Sequence, residues 1–177
     1  MSWSPSIEAG RVAAAALALA FLAAAARAED PAACDGFKWP LTVERSWFEA
    51  GNLKALKSRD AAGTLAPGAF TVSLAPSTGV SFVLPPQGKP RPGKPMAAVL
   101  SFATVAAPGL YQVTISDEAW IDIVQDGAYR PALEFSGVRG CPGLRKSVRF
   151  EFERAPLAIQ LSSASAAAIE LAVRPVR

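Results

Sequence analysis

Beyond Gly63 the apolar residues of this chain fall into a period of two. Phe70, Val72 and Leu74 alternate with Thr71 and Ser73, and Val80, Phe82 and Leu84 share one side of the next run. Successive strand side chains point to opposite faces, so this spacing predicts half-buried β-strands. Further runs at 97–104, 110–116, 119–125, 129–135, 147–153, 157–162 and 168–173 extend the pattern. The clearest is 147–153, with Val148, Phe150 and Phe152 facing inward and Arg149, Glu151 and Glu153 outward. Eight or nine short strands separated by Gly, Pro and Asp-Gly turns predict an all-β fold, an antiparallel β-sandwich or jelly roll. Strands and helices do not alternate, which argues against a parallel nucleotide-binding sheet.

Upstream, residues 35–59 read as helical or irregular. Pro40 suits a first helical turn, Leu41, Glu44, Trp47 and Phe48 make one edge, and Gly51-Asn52 would end this one short helix. The first residues have another texture: a polar start closing with Arg11, an uncharged run Val12 to Ala26 of mostly Ala and Leu, then Ala26-Arg27-Ala28. That is the pattern of a cleavable secretory signal. The run is shorter than the roughly 20 strongly apolar residues of a membrane span, and Cys34 lies too far beyond it for a lipid attachment site. The expected organisation is a signal peptide at 1–28, an N-terminal helical and irregular segment at 29–64 and a β-sandwich domain at 65–177. The expected location is the periplasm or the secreted fraction, with no membrane span after cleavage.

Charge changes the picture little. The chain holds 18 basic and 15 acidic residues; the leader contains Arg11, Arg27 and Glu8, which leaves 16 against 14 in the mature part, a net of +2. This near balance gives no reason to expect nucleic acid as a partner. Both cysteines, Cys34 and Cys141, fall in the mature part, and an even count in an oxidising compartment predicts a disulfide.

The most decisive chemical observation is that the chain has no histidine. This removes Ser-His and Cys-His nucleophilic catalysis, His-ligated zinc and the imidazole base. No serine is followed by lysine three residues later, and neither standard phosphate-binding glycine loop is present. Carboxylates gather at Asp117, Glu118, Asp122 and Asp126. Asp117, Asp122 and Asp126 could supply oxygen ligands to Ca²⁺, the only cofactor the composition invites, or two of them could serve a glycosidase-like hydrolase. They also read as turn residues and solvated strand ends.

Alternation through Trp120-Ile121-Asp122-Ile123-Val124 puts Trp120 and Asp122 on one face, and an indole beside a carboxylate is how many sugar-binding surfaces are built. With Arg149 these are the candidate ligand-binding residues. Asp122 could equally pair with Arg145, Lys146 or Arg149. Arg139, Arg145, Lys146 and Arg149 surround Cys141 as a basic cluster that could meet an acidic partner such as an anionic polysaccharide. The segment Pro85 to Pro95 carries five prolines in eleven residues, which favours an extended connection that cannot join a central strand. It either is a solvated connection or docks on a partner.

At Gly109-Leu110-Tyr111-Gln112-Val113-Thr114-Ile115, then Trp120-Ile121-Asp122-Ile123 and Asp126-Gly127, the chain resembles bacterial pre-peptidase C-terminal type β-sandwich domains. The resemblance implies a jelly-roll-like module that accompanies secreted enzymes and in some members binds calcium or matrix. The chain is expected to depart from that setting in having no attached peptidase. The expected function is an exported, non-catalytic β-sandwich that binds glycan or cell-envelope material. A carboxylate-dependent hydrolase and an envelope structural or assembly factor that contacts another protein are the alternatives.

Overall fold

The computed structural model describes Met1 and residues 31–58, 61–93 and 95–176. Apart from Met1, the expected signal peptide lies outside the described residues. A 3₁₀ turn spans Pro31–Gly36 and helix α1 spans Thr42–Glu49. The strands are β1 (Lys54–Lys57), β2 (Ala61–Leu65), β3 (Gly68–Ser73), β4 (Ala75–Pro76), β5 (Met96–Val105), β6 (Gly109–Ile115), β7 (Trp120–Gln125), β8 (Ala128–Arg130), β9 (Glu134–Gly137), β10 (Lys146–Phe152), β11 (Leu157–Ala164) and β12 (Ala168–Pro175).

One sheet runs β1-β3-β12-β6-β10-β9 and the other β2-β5-β11-β7-β8, with β4 beside β5. The fold is the expected β-sandwich, but both sheets are mixed: β1 lies parallel to β3 and β2 parallel to β5. The reason for the first pair is the path of the chain. It leaves β1 for the other sheet at β2 and returns at β3, so it re-enters the first sheet in its original direction. The alternating run at 80–84 does not form a strand, and the run at 129–135 divides between β8 in one sheet and β9 in the other. Pro131, which lacks an N–H for either ladder, sits in that division.

The main core lies between the sheets. Tyr111, Val113, Ile115, Val148, Phe150, Phe152 and Leu171 of the first sheet meet Leu100, Phe102, Ile121, Ile123, Ile159 and Leu161 of the second. The Tyr111 and Phe152 rings stack with centroids 4.8 Å apart. Burying such side chains stabilises by about 1.5–3 kcal/mol each, the main reason the sheets stay together.

Both outer faces are also covered. Trp39, Leu41 and Phe48 of the N-terminal segment pack with Leu144 and Ala172 on the first sheet, where the Cys34–Cys141 disulfide holds the segment down. Glu44 is fully buried there, with Oε1 accepting from Gln112 Nε2 at 2.7 Å and Arg174 Nε at 2.9 Å. The edge expected from Leu41, Glu44, Trp47 and Phe48 is thus the face that docks, with Trp47 only partly buried at its margin. On the second sheet, Val99, Val124 and Ala158 point outward and are covered by Val80, Phe82, Leu84 and Tyr129.

Candidate functional site

Strand β7 turns Ile121 and Ile123 into the main core, so Trp120, Asp122 and Val124 face the other way. Across this outer face runs the proline-rich segment, which the fold uses as a strap. Extended backbone outside a sheet needs other partners for its amides and carbonyls, and the sheet supplies them from side chains. Gln160, opposite Asp122 in the β11–β7 ladder, accepts from Val83 N at 2.7 Å and Leu84 N at 3.3 Å, and its Nε2 donates to Leu84 O at 3.0 Å. Asp122 Oδ2 accepts from Gln87 N at 3.1 Å. Ser163 Oγ donates to Lys89 O at 2.9 Å, and the Tyr129 hydroxyl donates to Pro85 O. Gly88 has to be glycine, since a Cβ there would lie 2.5 Å from Cγ of Trp120.

Asp122 is therefore an anchor for the strap. It is 3% exposed, and its other oxygen accepts from Trp120 Nε1 at 2.8 Å. Burial pushes its pKa above the ordinary aspartate value, and the hydrogen bonds from Trp120 and Gln87 hold part of that rise back. It makes no ion pair with the three bases expected for it. Arg145 pairs with Glu118 at 3.2 Å, Arg149 pairs with Glu134 at 2.7 Å, and the Lys146 ammonium donates to Ala119 O at 2.6 Å.

Arg149 does not join Trp120 and Asp122. It belongs to the outer face of the opposite sheet, stacked 4.0 Å from the Trp39 ring centroid, where its Nε also donates to Gln112. The calcium set does not assemble either. Asp117 accepts from Glu118 N at the bend before β7. Asp126, with φ of 52°, and Gly127, with φ of 71°, form the tight turn after it. The six residues of β7, about 20 Å of extended chain, separate the two. No group of three or more His, Cys, Asp or Glu among the described residues is placed to hold a metal. With Asp122 under the strap and the other two at opposite ends of β7, the trio does not form an open carboxylate pair of the kind glycoside hydrolysis uses.

Trp120 is placed differently from Asp122. Its side chain is 42% exposed and walls a groove of about 500 Å³. Lys89 and Arg91 of the strap, Glu118, Lys146 and Ser163 line the rest. Lys146 Nζ lies 5.7 Å from the indole centroid. Burial, and after it the Arg145 guanidinium, pushes the Lys146 pKa below the ordinary lysine value, with Glu118 pulling it partly back. Glu118 itself stays below the usual carboxylate value: its burial alone would raise it, but Arg145, Arg91 and Arg139 outweigh that. Chemically, the groove offers an aromatic surface, several cations and hydroxyl and carboxylate hydrogen-bonding groups.

Sequence reasoning put Trp120 at the site and placed Lys146 in a basic cluster. It did not find Gln160, Gly88 or the strap as a wall. The one available signal was Gln160 inside the apolar run Leu157-Ala158-Ile159-Gln160-Leu161, where a glutamine demands polar partners from somewhere. Among the described residues no helix is long and apolar enough to cross a membrane. No family model, curated protein or solved structure matches the chain significantly.

Proposed function

We propose that this chain is an exported, non-catalytic β-sandwich binding module that recognises glycan at the groove walled by Trp120. One observation carries the reading: a tryptophan held by its own Nε1–H to a buried carboxylate, yet 42% exposed beside a groove of about 500 Å³. An indole fixed in place stacks on the C–H face of a sugar with little loss of side-chain freedom, while the surrounding polar groups meet hydroxyls. Export is supported by the leader pattern at 1–28 and agrees with the disulfide, which persists in oxidising compartments.

The test compares the wild-type protein with Trp120→Ala on a glycan array and in pulldown with isolated cell-wall material. The expected outcome is selective retention of the wild type and about a tenfold or greater loss for the variant, from removal of one stacked aromatic. Equal retention of both, or retention of neither, rejects the glycan reading.

A further inference from the structure

We infer that the groove takes an acidic sugar, whose carboxylate sits at the Lys146 ammonium while its ring lies on Trp120; this rests on the glycan reading above. The carrying observation is a local imbalance of charge. Lys89, Arg91 and Lys146 line the groove with a single carboxylate, Glu118, which Arg145 also pairs from outside the lining, although the chain as a whole is near balance. Both oxygens of Glu118 are already engaged, Oε1 with Arg91 at 3.7 Å and Oε2 with Arg145 at 3.2 Å. Lys146 therefore shares Glu118 with two arginines, feeling its charge from beyond ion-pair distance.

Lys146 is only partly exposed, and among the described residues no carboxylate lies within 4.0 Å of its ammonium. Its hydrogen bond to Ala119 O uses one of three donors. A half-buried cation with spare donors, compensated by the indole it lies over and by a Glu118 that two arginines already share, is costly, and burial disfavours its charged form. An arriving carboxylate offsets that cost in a setting where the pair is weakly screened. Lys89 and Arg91 add to the attraction from a strap whose backbone is pinned through Ser163 and Asp122, so they present charge from a fixed wall. A bare anion would leave the indole unused. The ammonium lies over the indole, 5.7 Å from its centroid, too close for a sugar to fit between them but close enough for one sugar unit on the exposed part of the ring to reach the ammonium with its carboxylate.

The experiment is calorimetric titration of the disulfide-bonded protein with a panel of oligouronates, with the methyl esters of the same oligomers, and with inorganic phosphate. The expected result is binding of one or more acids, binding of the matched ester weaker by about tenfold or more, and a loss of similar size in Lys146→Gln. Phosphate is expected to bind far more weakly than the acid. Acid and ester bound alike, with loss in Trp120→Ala, overturn the acidic specificity and leave the glycan reading standing. No binding of any oligomer overturns the inference, and the glycan array then decides whether the glycan reading stands without it. Phosphate binding as tightly as the acid reduces the site to a general anion patch and also overturns the inference. If Lys146→Gln does not fold, by its near-ultraviolet circular dichroism, the double variant Lys89→Gln/Arg91→Gln decides. A reduced acid-over-ester preference upholds the inference, and an unchanged one overturns it.

Discussion

Replacing Gln160 by Leu isolates what holds the strap. The side chain is fully buried and makes three hydrogen bonds to strap backbone: from Val83 N, from Leu84 N and to Leu84 O. At about 1 kcal/mol each, some 3 kcal/mol is lost. Leucine is more apolar than glutamine and returns roughly 1 kcal/mol on burial. The net is a destabilisation of about 2 kcal/mol, and it falls first on the strap, because the ladders of β11 with β5 and β7 use backbone groups that the substitution leaves intact. An equilibrium for local strap opening should shift by about thirtyfold. Thermolysin reads this directly, since it cuts before bulky apolar residues and so reports exposure of Phe82, Val83 and Leu84. Trypsin is blind to it: Lys89, Arg91 and Lys94 each precede a proline. The expected result is thermolysin cleavage in 80–84 about thirty times faster than in the wild type, under conditions where the intact sandwich is not cut. Cleavage at the wild-type rate, with denaturant stability unchanged within about 0.5 kcal/mol, would refute the idea that the carboxamide holds the strap down.

Asp122 and the disulfide give two further outcomes. Burial raises the folded-state pKa of Asp122, so between its ordinary value and the raised one the native protein binds more protons than the unfolded chain, and stability falls as pH rises through that window. The wild type should therefore lose stability relative to Asp122→Asn from about pH 4 upward, measured by urea unfolding across the acidic range; a flat difference or the opposite slope contradicts the assignment. Replacing both Cys34 and Cys141 by Ser should destabilise the protein by about 4–5 kcal/mol, the chain-entropy value for a link spanning 107 residues. Denaturant unfolding of the two forms checks this, and a loss below about 1 kcal/mol would show that the N-terminal segment stays docked without the bridge.

Much of the fold was legible because its signals are local. The alternation of Val148, Phe150 and Phe152 became β10, the spacing of Leu41, Glu44 and Phe48 became the docking face of α1, and the even cysteine count became a bridge. The run Val80, Phe82, Leu84 shows where such signals stop. Period two says that one side of an extended chain is buried, and it is, against Val99, Val124 and Ala158. It does not say whether the backbone meets another strand or the carboxamide of Gln160. Parallel pairing of β1 with β3 is equally silent, since strand direction leaves no trace in a burial pattern. At the site, alternation correctly put Trp120 and Asp122 on one face. What separates an exposed indole from a covered carboxylate is the strap, which arrives from 35 residues away in sequence.

The strap also explains why the groove is a rigid feature. Antiparallel sheets commonly leave one face to water and fill it with polar residues, but β5, β7 and β11 place Val99, Val124 and Ala158 on theirs. Covering them requires a chain segment with its backbone groups satisfied, and Gln160, Asp122, Ser163 and Tyr129 satisfy it. Once pinned, the segment cannot move the Lys89 backbone relative to Trp120 without breaking those bonds, and the Arg91–Glu118 ion pair ties Arg91 to the same groove. Its prolines narrow the alternatives further by fixing φ. The groove wall is thus ordered before any ligand arrives, and binding need not bear the entropy of ordering it. Gln160 lines no part of the groove, yet its loss should weaken glycan binding along with strap docking, because the Lys89 wall would have to be re-formed at each encounter. Calorimetry on Gln160→Leu should show reduced affinity with a more unfavourable entropy, and an unchanged affinity would mean that the strap contributes nothing to recognition.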